Sequence, residues 1–168
     1  MIMTSITLNK EEIFDHLCDV KDPEIPVVTI GEMGILREVI IEDDVVKVVI
    51  TPTYSGCPAM NMIRESIEKK LNAIGIDNFL LITKYSPAWT TDFMSDATHE
   101  KLRKFGIAPP KGSASTNVFD DLFTDKTVAC PRCSSENTFQ QSKFGSTPCK
   151  SLYYCKDCEE PFEHFKCH

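Results

Sequence analysis

The residues with the clearest chemistry in this chain are two Cys-x-x-Cys pairs near its C-terminal end. Cys130 and Cys133 form the first pair, Cys155 and Cys158 form the second, and 21 residues separate the two pairs. Each pair places two thiolates on one side of a tight turn, and two such turns facing each other put four sulfurs at the corners of a tetrahedron. The spacing therefore predicts a structural Zn²⁺ site in a zinc ribbon, with a β-hairpin between the pairs.

Two other interpretations of these four thiols are a redox dithiol and an iron–sulfur cluster. Six of the eight cysteines lie in the last 39 residues, and such clustering in a cytosolic chain favours metal over disulfides. Two matched pairs in a polar segment with little core favour zinc over a redox dithiol. An iron–sulfur cluster on the same four cysteines is the second metal candidate.

Two more cysteines, Cys149 and Cys167, lie in the same segment. One interpretation makes them small buried apolar residues. The other makes them extra thiols near the zinc, with His164 and His168 joining a second site. The residues alone favour the first interpretation.

A separate cysteine, Cys57, lies in the stretch "TPTYSGCPAM". A β-branched run precedes it, and apolar residues at helical spacing follow it. With Pro58 at the first helical position, Cys57 is expected to cap the helix, where the helix dipole lowers a thiol pKa. The alternative is an inert, half-buried cysteine.

The elements that must position these residues follow from periodicity and end signals. Asn9 and Glu12 form a capping box for a first helix. Two strands flank the acidic turn 42–44, and a helix, a third strand and a last helix between Ser95 and Gly106 follow. The order helix, strand, strand, helix, strand, helix predicts a small α+β domain over residues 1–110. The Pro-, Gly- and Ser-rich stretch 111–126 is expected to be a linker, and residues 127–168 the ribbon.

Charge and hydropathy exclude several classes of function. Net charge is −7; residues 1–110 hold 11 Lys and Arg against 17 Asp and Glu, and residues 127–168 hold five of each. Neither part has the basic surplus of a nucleic-acid-binding protein. With no apolar run long enough for a membrane span and no secretion signal, the expected location is the cytoplasm.

Several motifs together resemble a known family. The stretches "DPEIPVVTIGEMGIL", "TPTYSGCPAMNMI", "PAWTTDFMS" and "LRKFGIAPP" are similar to the domain shared by cytosolic iron–sulfur targeting factors and the Suf accessory protein T. Joined to "CPRC", "FGSTPCKSLYYC" and "CEEPFEHFKC", they resemble the phenylacetate degradation protein D family, the D subunit of phenylacetyl-CoA epoxidase. The resemblance covers nearly the whole chain and is weakest over 111–126.

The resemblance implies an accessory factor in aerobic phenylacetate degradation, not the oxygenase itself. Such a factor is expected to help mature or repair an iron-containing component of the epoxidase, above all its iron–sulfur reductase subunit. The resemblance also implies that Cys57 handles metal, as transient iron or an iron–sulfur cluster. Asp22 and Glu24 of the "DPE" motif are expected to assist it. The expected pocket around the thiol is formed by Thr51, Thr53, Tyr54 and Trp89.

Two rival functions stay open at this level. The chain is either a maturation factor that exchanges metal at Cys57 or a non-catalytic structural subunit of the epoxidase complex, with zinc needed only for folding. A redox enzyme with Cys57 as nucleophile is disfavoured because no resolving cysteine lies nearby in sequence. No histidine has a glutamate three positions before it, so the Glu-x-x-His pairs of di-iron oxygenases are missing. The sequence also has no G-x-G-x-x-G motif for a flavin or nicotinamide cofactor. Homodimerisation is left open.

Overall fold

The computed structural model describes residues 8–110 and 127–166. The chain forms two compact units, Met1–Trp89 and Thr90–His168, and each unit has its own β-sheet. The predicted linker and the residues Cys167 and His168 lie outside the described residues. The architecture is α+β, as the sequence predicts.

The first unit is a three-stranded sheet with two helices. Its elements are α1 (Lys10–Cys18), β1 (Leu36–Glu42), β2 (Val45–Ile50), α2 (Met60–Ala73) and β3 (Phe79–Thr83). The strand order is β1-β2-β3, with β1 antiparallel and β3 parallel to β2. The parallel pairing requires a crossover, which α2 supplies.

The core of the first unit includes buried residues of α2 and of the central strand β2. Ile63, Ile67 and Leu71 recur on one face of α2 and are fully buried. In β2, Val46, Val48, Val49 and Ile50 are buried, as expected for a strand covered on both faces. Because both elements are fixed by this core, the loop between them, residues 51–59, has a fixed position.

Local end signals place the helix boundaries. The Asn9 side chain accepts from the Glu12 N–H, and the Glu12 side chain accepts from the Asn9 N–H at 2.8 Å, which confirms the capping box. The hairpin turn puts Asp43 and Asp44 at φ of 51° and 59°, the backbone of a tight hairpin.

The predicted start of α2 is wrong. The helix begins at Met60, its N-cap is Ala59, and no side chain caps it. Cys57 therefore lies in the turn before the helix, and Pro58 precedes the first helical position.

The second unit contains the predicted ribbon. After a short 3₁₀ turn (Thr91–Phe93), its elements are α3 (Asp96–Phe105), β4 (Ile107–Ala108), β5 (Thr138–Ser142), β6 (Lys150–Cys155) and β7 (Pro161–Phe165). The strand order is β4-β7-β6-β5. β5, β6 and β7 pair antiparallel, as the spacing of the cysteine pairs predicts for a hairpin.

The division between the units differs from the predicted domain boundary at residue 110. Ile107 and Ala108 pair in parallel with Glu163 and His164 of β7, and Ala108 is buried in the core of the ribbon. The helix and strand that end the segment 1–110 thus group with the ribbon. A two-residue pairing with a strand more than fifty positions away leaves no periodic signal in the sequence.

In the part of the chain that the structure describes, no helix combines the length and apolarity needed to cross a membrane.

The core of the first unit can be tested with two adjacent residues of α2. Replacing the fully buried Ile63 by alanine should lower the free energy of unfolding by about 2–5 kcal/mol, because a cavity remains. Met62→Ala should change it by less than about 0.5 kcal/mol, since Met62 is 57% exposed. The free energies of unfolding of both variants are measured by urea unfolding, with amide exchange of residues 10–83 as the readout. Equal effects would show that the assigned buried face of α2 is wrong.

Candidate metal and thiol sites

The four cysteines of the two Cys-x-x-Cys pairs converge on one point. Their Sγ atoms all lie within 4.8 Å of one another. Cys130 and Cys158 are 3.7 Å apart and Cys133 and Cys155 are 3.5 Å apart, sulfur to sulfur. A tetrahedron with Zn–S bonds of about 2.3 Å has edges of about 3.8 Å. The thiols therefore fit a four-coordinate zinc ion with no open position.

The two turns that carry these cysteines have the same backbone form. Ser134 follows the first pair at φ 62°, and Glu159 follows the second at φ 58°. The Cys130 N–H donates to the Ser135 carbonyl at 2.9 Å, and in the same way the Cys155 N–H donates to the Glu160 carbonyl at 3.0 Å. Each turn thus holds its two thiols on one side, as the sequence spacing predicts.

The electrostatics of the four thiols oppose their simultaneous ionisation. The backbone N–H of Cys158 lowers the pKa of the Cys155 thiol to about 7, with a smaller contribution from the N–H of Asp157. Burial and the neighbouring thiols raise the pKa of Cys158 to about 12. All four can be thiolates together only when a bound cation offsets their mutual repulsion.

An acidic residue that sequence reasoning missed joins the two turns. Asp157, inside the second pair, accepts a bond from the Ser135 hydroxyl and another from the Asn137 amide, both at 2.6 Å. These bonds lower the pKa of the Asp157 carboxyl. Its position between the two cysteines of a turn was the available signal, because the side chain at that place projects toward the facing turn.

Cys149 does not join the group of four. Cys149 is buried, and its Sγ lies 3.0 Å from the Thr147 hydroxyl. Cys149 precedes β6 while Cys155 ends it, so the strand separates them. His164 is likewise outside the group and packs edge-on against Tyr153. The interpretation of Cys149 as a buried, packed residue fits this placement; Cys167 lies beyond the described residues.

Cys57 lies in the loop between β2 and α2 and is half-buried. Its N–H donates to the Tyr54 carbonyl at 3.2 Å, and its carbonyl accepts from the Met60 N–H at 3.3 Å. The Ala59 N–H and the Thr53 hydroxyl both hydrogen-bond the thiol. The start of α2 thus turns one free N–H toward the sulfur, although Cys57 is not the N-cap.

The predicted low pKa of Cys57 is wrong in sign. Burial is the largest influence and raises the pKa of the thiol; the Ala59 N–H lowers it, and the carboxylates of Glu24 and, less strongly, Asp22 raise it. The net result is a raised pKa. The donors from the helix start do not outweigh burial and two negative charges.

The acidic loop near Cys57 is tightly folded. Asp22 is only 6% exposed, and its Oδ1 accepts from the N–H groups of Glu24 and Ile25, each at 2.8 Å. Its own N–H donates to the Val28 carbonyl at 3.0 Å. The Asp22 carboxylate is therefore buried and held by the backbone of its own loop.

The thiol and these carboxylates are not a preformed metal cage. Within residues 8–110 and 127–166, the four ribbon cysteines are the one group of three or more potential ligands whose donor atoms converge. Around Cys57 the structure offers a neutral thiol in a negative field.

The predicted pocket residues divide by what they contact. Thr53 bonds the thiol, and the Tyr54 carbonyl holds the Cys57 backbone. Thr51 is buried, with its N–H donating to the Ile35 carbonyl at 2.8 Å.

Trp89 has a packing contact of its own. The indole is 3% exposed and donates to the Met33 carbonyl at 2.7 Å. This bond ties the residues before β1 to the end of the first unit. That Trp89 also lines the Cys57 pocket stays a prediction.

The zinc site gives a test with an internal control. Cys158→Ser should release zinc and abolish amide protection over residues 127–166, because metal energy on the order of 10 kcal/mol is folding energy in such units. β4 should lose protection with its partner β7, while residues 10–83 stay protected. Cys149→Ser should keep both zinc and protection. Retained protection in the ribbon of Cys158→Ser would disprove the assignment.

The raised pKa of Cys57 gives a prediction with a sign. A raised pKa keeps the thiol protonated at neutral pH, so alkylation should be slow there and should accelerate as pH rises past 9. Glu24→Gln should speed alkylation of Cys57 several-fold at neutral pH, and Asp22→Asn should do so more weakly, because each removes a charge that raises the pKa.

Alkylation is followed by peptide mass spectrometry on zinc-loaded protein. Asp43→Asn is the matched control: it removes one charge in the hairpin turn, at the other end of β2. If Glu24→Gln and Asp43→Asn react at equal rates, the carboxylate does not act on the thiol.

Comparison with known proteins agrees with both halves of this description. Residues 114–166 match the family model described as "PaaD zinc beta ribbon domain", and residues 10–77 match that described as "Iron-sulfur cluster assembly protein". A conserved hypothetical protein of Thermotoga maritima is similar in structure, with a TM-score of 0.50 and 29% identity, over 60% of this chain and 98% of that one.

Two curated proteins are similar in sequence. An Fe-S protein maturation auxiliary factor of Porphyromonas gingivalis (strain ATCC BAA-308 / W83) is 33% identical over 89 residues, 52% of this chain and 84% of the other. A protein of Escherichia coli (strain K12), provisionally named as the D subunit of 1,2-phenylacetyl-CoA epoxidase, is 41% identical over 156 residues, 93% of this chain and 92% of the other. At that identity and coverage, the chain belongs to the family of the phenylacetyl-CoA epoxidase D subunit.

Proposed function

We propose that this chain is an accessory factor of the phenylacetyl-CoA epoxidase that delivers iron, or an iron–sulfur cluster, to a component of that enzyme system. The observation that carries the proposal is the half-buried Cys57 thiol in the field of Glu24 and Asp22, on a domain that matches an iron–sulfur cluster assembly family. The name of the Escherichia coli relative supplies the epoxidase, and that of the Porphyromonas gingivalis relative supplies maturation.

Ferrous iron is the simplest cargo to follow chemically. The iron binds the Cys57 sulfur and the thiol proton leaves to solvent, so no electron is transferred. The nearby carboxylates attract the cation, and the Thr53 hydroxyl and Ala59 N–H stabilise the thiolate that forms. Binding therefore tightens as pH rises, because the proton that must leave sits on a thiol with a raised pKa.

Release follows from the incomplete coordination at Cys57. One thiolate and nearby carboxylates leave coordination positions for the cysteines of a client protein. When client thiolates bind the iron, the Cys57 sulfur is displaced and takes up a proton again. Exchange of this kind favours the client because several thiolates bind ferrous iron more tightly than one. The iron–sulfur reductase component of the epoxidase is the proposed client.

The ribbon has a different relation to metal. Its four thiols close around one ion and leave no open position, which is typical of a structural site. Zinc there stabilises the second unit and takes no part in delivery. The chain itself catalyses no turnover of phenylacetyl-CoA in this proposal.

A non-catalytic structural subunit is the second candidate. The absence of converging ligands around Cys57 among the described residues favours it. It differs from the first candidate in stoichiometry: a structural subunit co-purifies with the epoxidase at a fixed ratio, while a maturation factor binds its client transiently.

The thiol can be tested by comparing the two cysteines of the first unit. Cys57→Ser should preserve the fold and zinc content but abolish growth on phenylacetate and leave the reductase component short of iron. Cys18→Ser should leave growth and the iron content of the reductase unchanged. Cys18 is a matched control because it is also half-buried but lies at the end of α1. The readouts are growth, zinc content, and iron per reductase chain. Normal growth and iron content with Cys57→Ser would leave the structural-subunit role as the better account.

A further inference from the structure

The segment between β5 and β6, residues 143–149, has an unusually fixed backbone for an exposed loop. The Phe144 N–H donates to the Ser142 hydroxyl at 3.1 Å. The Gly145 N–H donates to the Lys150 carbonyl at 2.8 Å, and the Lys150 N–H donates to the Thr147 carbonyl at 3.1 Å. We call this segment the Phe144 loop.

A buried ion pair holds the loop from beneath. Lys150 is 4% exposed, and its Nζ lies 2.8 Å from a carboxylate oxygen of Glu163 on β7. The other oxygen of Glu163 accepts from the Ser146 N–H. A Cβ on Gly145 would lie 2.7 Å from that oxygen, so no larger residue fits without displacing it. Losing either partner of such a pair is costly, because an uncompensated charge stays buried.

Lys166 holds the loop from its outer side. Its Nζ donates to the Lys143 carbonyl at 3.2 Å and lies 4.8 Å from the centre of the Phe144 ring. A cation at this distance over an aromatic face stabilises one orientation of the ring. Phe144 is therefore oriented as well as positioned.

This rigidity does not bury the aromatic side chain that it fixes. Phe144 is 64% exposed, the highest value among the exposed large apolar residues of the described chain. Folding alone gains little from holding a ring in water. A ring held in one orientation before contact loses less conformational entropy on binding, and such aromatic side chains are typical anchors of protein interfaces.

The charge around the ring indicates the kind of partner. Residues 138–156 contain three lysines and neither aspartate nor glutamate, in a chain of net charge −7. Lys150 is buried and neutralised by Glu163, so Lys143 and Lys156 are the two that lie exposed at the surface. Phe139, at the start of β5, is a second exposed ring, with Lys156 5.4 Å from its centre. Exposed rings flanked by lysines complement an acidic surface that offers an apolar socket.

We propose that the Phe144 loop docks this protein on an acidic surface of another protein, with the Phe144 side chain inserted in an apolar socket. That this partner is the client served by Cys57 rests on the proposed function. The docking itself requires neither iron nor Cys57.

Binding of the full-length, zinc-loaded protein to the purified iron–sulfur reductase, and to the other epoxidase components, tests the proposal by calorimetry. One component should bind, more weakly as salt increases. Phe144→Ala should weaken that binding by about 10-fold or more, and Lys143→Glu should weaken it too. Zinc content and thermal unfolding should match the parent, because both side chains are exposed.

The matched controls are Phe105→Ala, at a 50% exposed ring at the end of α3, and Lys69→Glu on α2. Both should bind like the parent. The proposal fails if Phe144→Ala binds as tightly as Phe105→Ala, or if no component binds in a Phe144-dependent way. It also fails if Phe144 supports only self-association, measured by sedimentation, because the occupant would then be a second copy.

The same set of variants separates this inference from the proposed function. Cys57→Ser should bind the reductase normally and fail to supply iron. If Cys57→Ser supplies iron normally while Phe144→Ala loses binding, docking stands and delivery by Cys57 falls. If Cys57→Ser fails to supply iron and Phe144→Ala binds normally, the reverse holds.

Discussion

Four sulfur atoms held within 4.8 Å of one another are the constraint on which the second unit depends. Thiolates at such distances repel strongly unless a cation lies between them. Two of the four, Cys130 and Cys155, also belong to the small buried cluster of the unit, with Ala108, Val128, Tyr153 and Phe162. Metal site and hydrophobic core are thus one structure, and a segment of this size has little other core to rely on.

The consequences of that site extend beyond the cysteines. β4 is a strand only because β7 is present to pair with it, and β7 is positioned by its hairpin with β6, whose turn carries the second cysteine pair. The Lys150–Glu163 pair joins β6 to β7 and fixes the Phe144 loop at the end of the ribbon away from the metal. A binding surface can therefore be rigid at that end because four thiols are closed at the other.

The two thiol environments differ for a physical reason. In the ribbon, backbone N–H groups point at Cys155 and lower its pKa, which suits a permanent metal ligand. At Cys57, burial and the carboxylates of Glu24 and Asp22 raise the pKa, which keeps this isolated thiol protonated at neutral pH. The two places also differ in geometry, because four thiols converge in the ribbon, whereas no comparable group of ligands surrounds Cys57 among the described residues.

The sequence alone determined what depends on neighbours a few positions apart. The Cys-x-x-Cys turns, the Asn9–Glu12 capping box, the hairpin turn at Asp43 and the order of elements arise from local spacing and turn chemistry. The tertiary structure decided what depends on residues far apart along the chain. The sign of the Cys57 pKa is set chiefly by burial, to which the carboxylates of Glu24 and Asp22 add. β4 joins the ribbon sheet by pairing with β7, and Asp157 and Glu163 act on turns they meet only after folding. Such long-range contacts leave no periodic pattern, because their free energy exists only once the chain has brought the partners together.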